Sequence, residues 1–146
     1  MLNHKILLLA LATFAITGCS SIPMATKEQD ATSKQFKTPT TGLSGVYIYR
    51  NGAFGGATKK TVSLDRAPLG ETLTKTFFHR EIKPGPHIIS TKSEFGDNEL
   101  SFDAVEGENY YFRHYMKLGV IVGGAGIEAV NEQDGMKGVM ECEEAR

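Results

Sequence analysis

The sequence has no tryptophan and only two cysteines, Cys19 and Cys142, among its 146 residues. Two cysteines are too few for a disulfide-stapled scaffold or a four-cysteine zinc site. An excess of one charge is also missing: 16 Lys and Arg stand against 17 Asp and Glu, a formal net charge of -1. That balance supplies no basic field for nucleic acid, and no acidic composition of the disordered kind. No apolar run reaches the roughly 20 residues of a membrane-spanning helix. What is present, 40% apolar residues, suits one compact domain and is too short for two full-sized ones.

The N-terminus carries Lys5 and then an 11-residue, predominantly apolar run at 6–16. That is the length of the hydrophobic region of a signal peptide, about 7–15 residues. The run ends in Ile16-Thr17-Gly18-Cys19. A branched aliphatic, two small residues and a cysteine resemble a lipobox, the cleavage signal of bacterial lipoproteins. The cysteine thiol takes a diacylglyceryl group. Small residues let the extended backbone enter the peptidase, and cleavage between Gly18 and Cys19 frees an amine for a third chain, commonly palmitate. One acyl chain binds membranes reversibly, whereas two or three hold stably. Ser20, where an aspartate would signal inner-membrane retention, favours the outer membrane and its periplasmic face.

This reading divides the chain into a signal-peptide helix (1–18), the lipidated cysteine with a flexible tether (19–43), and a domain (44–146). Cleavage leaves 128 residues and removes Lys5 and no acid, so the charge becomes -2. Cys142 is then the only free thiol. Its acidic neighbours Glu141, Glu143 and Glu144 disfavour a thiolate, so partial burial is expected rather than redox chemistry. Residues 20–43 are rich in Ser, Thr, Lys, Gln and Pro and keep no period of 3.6 or 2. A coil of that length spans about 25–30 Å, enough to stand the domain off a bilayer.

From Ser44 onward the pattern is alternation broken by turn signals, which argues for strands. Gly45-Val46-Tyr47-Ile48-Tyr49-Arg50 is β-branched and aromatic, followed by the Asn51-Gly52 and Gly55-Gly56 breaks. Thr61-Val62-Ser63-Leu64-Asp65 alternates, Arg66-Ala67-Pro68-Leu69-Gly70 reads as a turn, and Thr76-Phe77-Phe78-His79-Arg80 reads as a strand. Further strands are expected at 88–93, 100–104, 110–116, 120–122 and 127–130. A short helix over 132–137 and a last strand over 139–142 close the chain, Gly135 and Gly138 arguing against a longer helix. The fold predicted is mainly β: an antiparallel β-sandwich of seven or eight short strands, immunoglobulin-like or transthyretin-like, with a small barrel as the alternative.

No catalytic constellation emerges. Gly124, Gly126 and Ala129 fit G-x-G-x-x-A, but that fingerprint needs a βαβ unit and an acid about 20 residues on. Only 17 residues follow Ala129. A bend where backbones approach closely is the simpler reading. Residues 51–60 lack phosphate-loop spacing. His79, His87 and His114 could in principle serve a metal-dependent or hydrolytic enzyme, yet no pair has ligand spacing and no G-x-S-x-G occurs. No metal site, catalytic residue or cofactor is therefore assigned. Tyrosines on both strand faces, together with arginines, suggest an interface-like surface. Tyr47, Tyr49, Arg50, Phe54 and Arg113 are its candidate residues.

Several segments resemble a bacterial lipoprotein family carrying the uncharacterised domain of unknown function 2846. They include Gly45-Val46-Tyr47-Ile48-Tyr49-Arg50-Asn51, Phe54-Gly55-Gly56, Phe77-Phe78-His79-Arg80-Glu81, Pro84-Gly85-Pro86-His87 and Asn109-Tyr110-Tyr111-Phe112-Arg113. The resemblance implies a lipid-anchored, mostly β periplasmic domain and brings no catalytic residues with it. The functional expectation is a binding or adaptor module, not an enzyme. It would hold the outer membrane through lipid on Cys19 and contact an envelope protein or small ligand. A small enzyme using the histidines and a structural spacer are the alternatives.

Overall fold

In the computed structural model the described residues are 21–93, 96–119, 121 and 123–146. The expected signal peptide, Gly18 and Cys19 lie outside them, as do Val120 and Val122 of the expected strand at 120–122. The chain forms α1 (Lys27–Ser33), β1 (Ser44–Arg50), β2 (Lys60–Leu64), β3 (Ala67–Thr72), β4 (Thr76–Ile82), β5 (Gly85–Ser93), β6 (Gly96–Ala104), β7 (Asn109–Lys117), β8 (Gly124–Val130), α2 (Glu132–Met140) and β9 (Glu143–Glu144). The fold is mainly β, as expected.

The strands make two sheets, one of five in the order β8-β7-β1-β4-β9 and one of four in the order β3-β2-β5-β6. Most neighbours run antiparallel, but β1 pairs parallel with β7, and β4 with β9. Side chains alternate across each strand, so β1 sends Val46 and Ile48 one way and Tyr47 and Tyr49 the other. The first pair joins Phe78, Phe112, Val62, Leu64 and Ile89 in the core between the sheets. The second joins Phe77, Tyr111, Val139 and Cys142 in another core on the far side of the five-stranded sheet. That far side is roofed by α2, by the C-terminal end of α1 and by Phe36. The molecule therefore has three layers, with β1 buried on both faces.

Three expectations are corrected. Residues 21–43 are not a loose tether. Ile22 enters the sandwich core, Ala25 and Glu144 share a backbone hydrogen bond, as do Arg146 and Pro23, and Phe36 sits over the rings of Tyr47 and Tyr111. α1 carries a capping box: Thr26 Oγ1 accepts from Gln29 N–H, and Gln29 Oε1 accepts from Thr26 N–H. Its weak periodicity hid it, because a seven-residue helix held by caps and tertiary contacts needs little amphipathic pattern.

Residues 67–70 are strand, not turn. The turn is Asp65-Arg66, both at positive φ, the two-residue hairpin geometry that usually calls for Asn-Gly. The Asp65 carboxylate supports it by accepting from Ile88 N–H and from His87. Pro68 is tolerated because β3 is an edge strand with a register shift in its pairing.

The C-terminal helix runs on through both glycines to Met140, and residues 139–142 are not a strand. A Cβ at Gly135 would overlap Tyr111, and one at Gly138 would overlap the Tyr49 ring. Close approach to the sheet, rather than helix propensity, explains both glycines.

Candidate functional site

The candidate surface separates into buried and exposed parts. Tyr47 is 1% exposed and Arg50 1%, and Tyr49 is likewise buried. The tyrosines lie beneath α2 and Phe36, which is why alternation alone placed them at the surface. Tyr47 OH donates to Ser33 O at 2.9 Å, and its ring stacks on His79 and Tyr111. Arg50 points into the sandwich and holds loop 51–59, donating to the carbonyls of Gly55, Thr58 and Thr72. Phe54, on that loop, is 56% exposed. Arg113 is half-exposed, pairs with Glu128 and borders a shallow groove of about 360 Å³ with Asn51, Lys137 and Glu141. The structure thus keeps only Phe54 and Arg113 of the five residues accessible.

The histidines stand apart in three settings. His79 is on β4 and His114 on β7, strands that flank β1 and are not neighbours. His114 is enclosed in the sandwich, its Nδ1 3.1 Å from Thr72 Oγ1 and its Nε2 3.2 Å from Thr91 Oγ1. Burial, reinforced by the Arg50 and Lys60 cations, pushes its pKa down to about 3. A neutral imidazole has one N–H and one lone pair. One threonine therefore accepts from the ring, and the other donates to it. Both hydroxyls also face strand carbonyls, of Lys60 and Thr61.

His79 lies on the helix-covered face with Nδ1 3.3 Å from Ser33 Oγ. Burial lowers its pKa, helped by Arg80 and opposed by Glu81. Ser33 Oγ also donates to Glu144 Oε2 at 2.8 Å. Serine, histidine and carboxylate meet here, but the carboxylate binds the serine and not the imidazole. The relay order of a hydrolase triad is absent from this cluster.

His87 is the third setting. Its Nδ1 meets Asp65 Oδ2 at 2.6 Å and its Nε2 meets Lys83 O at 2.7 Å. Desolvation works against the charged ring, but Asp65 and the Lys83 carbonyl outweigh it and raise the pKa. For Asp65, desolvation is likewise outweighed by the Ile88 N–H and His87, so its pKa falls. The pair staples the β2–β3 turn to β5.

Among the described residues no group of three or more His, Cys, Asp or Glu is placed to hold a metal ion. Gly124 and Gly126 lie within β8, and a Cβ at Gly126 would come 2.6 Å from the Tyr115 ring. These glycines serve close side-chain packing on a strand. Cys142 is buried just after α2, its Sγ 3.3 Å from Gly138 O. Burial raises its pKa to about 12, outweighing the nearby Lys75.

A groove of about 610 Å³ lies where the first described residues meet the C-terminal segment. Ser21, Ile22, Met24, Thr74, Lys75 and Met140 border it. Sequence reasoning missed it because it arises from residues 21–24 docking beside the chain's last residues. Sequence reasoning also missed Ser33 and Glu144, whose types carry no signal until α1 meets the C-terminal residues.

A two-sheet domain with helices closing one face defines the class of fold. Residues 40–125 match the family described as "Protein of unknown function (DUF2846)", and the chain belongs to that family. It is also similar to an uncharacterized protein of Haemophilus influenzae, 44% identical over 124 residues, covering 85% of this chain and 74% of the relative. No solved structure matches the chain.

Proposed function

We propose that this protein is a lipid-anchored component of the periplasmic face of the bacterial outer membrane, acting by binding rather than by catalysis. The observation that carries the reading is Ile16-Thr17-Gly18-Cys19 in register after an 11-residue apolar run. Two or three acyl chains on Cys19 anchor the body without a spanning helix. Among the described residues no helix is long and apolar enough to cross a membrane, which is compatible with attachment by lipid. The binding role is supported by the exposed Phe54 and Arg113 and by the dispersal of the three histidines into separate hydrogen-bonded settings. Its partner is an envelope protein or a small ligand.

Labelled palmitate tests the anchor. Label is expected on the wild-type protein in the outer-membrane fraction and absent from Cys19→Ser. Wild-type protein that takes up no label would overturn the reading. Retention of envelope partners after crosslinking at position 54 or 113, lost in Phe54→Ser or Arg113→Ser, tests the binding role.

A further inference from the structure

One end of the sandwich differs from the rest of the surface. Arg50 pairs with Thr76 and Lys117 with Gly124, so the end of β1, the start of β4 and the β7–β8 connection lie together. α2 returns to the same end, where Asn51 Nδ2 reaches Glu141. Loop 51–59 joins these parts, Thr74 Oγ1 donating to Gly52 O and Gly55 lying against Met116.

Among the described residues six large hydrophobics are exposed. Four belong to this end: Phe54, Leu118 at 83%, Ile121 at 86% and Met140 at 57%. Met24 borders the adjoining groove. The sixth, Val105, is at the opposite end, beside the start of β1. Several exposed apolar side chains gathered on one end mark an interaction surface, whereas scattered ones need no explanation.

The second observation is where the chain enters. Ser21 borders the same groove as Thr74, Lys75 and Met140. Cys19 stands two residues earlier, so at full extension it is no more than about 7 Å from Ser21. Because residues 21–43 are docked, no long tether separates an acylated Cys19 from this end. A body tied this closely to the bilayer must turn one face to it.

We infer that this end, with Phe54, Leu118, Ile121 and Met140 at its tips, lies against the phospholipid surface and inserts those side chains among the headgroups. The inference rests on the lipid-anchor reading and adds to it the orientation of the body. At the rim Lys75 pairs with Glu141 and Lys59 with Glu71, while Lys60 binds Gly123 O and Lys117 lies over the Tyr115 ring, so these groups carry a small cationic excess. Apolar contact and this cationic excess favour the same orientation on a bilayer that contains anionic lipid.

The absence of tryptophan gives a clean test. Leu118→Trp, Ile121→Trp and Val105→Trp each introduce a single reporter. The lipidated proteins are reconstituted on vesicles of phosphatidylethanolamine and phosphatidylglycerol with brominated acyl chains. Fluorescence at 118 and at 121 is expected to fall at least twofold relative to unbrominated vesicles. That at 105, roughly 30 Å away along nine-residue β7, is expected to hold. Equal quenching at all three sites, or quenching only at 105, overturns the orientation. Co-sedimentation of the same samples reports the anchor separately. Vesicle-bound protein with unquenched 118 and 121 defeats the orientation alone, and lipidated protein that stays in the supernatant defeats both readings.

Discussion

The two faces of the five-stranded sheet are built on different physical plans. The inner face is aliphatic and phenylalanine-lined, and it meets a second sheet. The outer face is tyrosine-rich, and it meets a helix through glycines. The inner face sets its polar groups against one another and the backbone, with the Arg50 amino groups on carbonyls and His114 between two threonines. The outer face uses rings that are apolar along their sides and polar at the tip, so that Tyr47 buries its ring and still reaches the Ser33 carbonyl. A sheet face covered by another sheet tolerates bulk, because branched side chains interdigitate. One covered by a helix lying directly on aromatic rings requires the helix to give up its Cβ atoms.

Mutations test how far the two plans differ. The largest effect is expected inside the sandwich. Phe112 is buried, with its ring 4.8 Å from that of Phe102, and Phe112→Ala should cost about 3–5 kcal/mol in urea unfolding. A loss well under 2 kcal/mol would mean that the inner face collapses around the void.

The next effect is a pH dependence confined to the same face. The folded protein keeps His114 neutral down to about pH 3, while the unfolded chain protonates it near its ordinary value of about 6.5. Between those values the unfolded state holds the extra proton. Stability is therefore full above the unfolded pKa and is lost as pH falls, by up to about 1.4 kcal/mol per pH unit. From pH 6 to 4 the wild type should lose roughly 2–3 kcal/mol more than His114→Gln. Parallel pH profiles for the two proteins would remove His114 as the cause.

The smallest of the three effects is the sharpest in sign. On an ordinary helix Gly138→Ala would stabilise by about 1 kcal/mol. Here the new methyl meets the Tyr49 ring, and a loss of about 2 kcal/mol is expected from overpacking. A gain in melting temperature would show that α2 does not press on the sheet.

The inner face was legible in the sequence. The alternation of Val46 with Ile48 and of Val62 with Leu64 set the strands and their buried sides, and the breaks at Asn51-Gly52 and Gly55-Gly56 set the end of the first. The outer face was not. Tyr47 and Tyr49 alternate correctly, but alternation cannot say whether the second face is wet or covered. The cover comes from residues 21–43 and from α2, whose own sequences look polar and glycine-broken. β3 was hidden by Pro68, and its turn by two non-glycine residues at positive φ. The candidate surface shrank to Phe54 and Arg113 for the same reason, and the apolar end emerged only when loops distant in sequence were brought together.

By itself the sequence determined that the chain folds as strands around one aliphatic core, because a period of two is a local property that each strand carries alone. It also placed the cysteine that lipid chemistry would use. Only the tertiary structure decided what covers the tyrosines, where residues 21–36 meet the C-terminal residues and which apolar side chains stay exposed. Those outcomes depend on contacts between segments as far apart as Ser33 and Glu144, and no local pattern in either segment encodes the other.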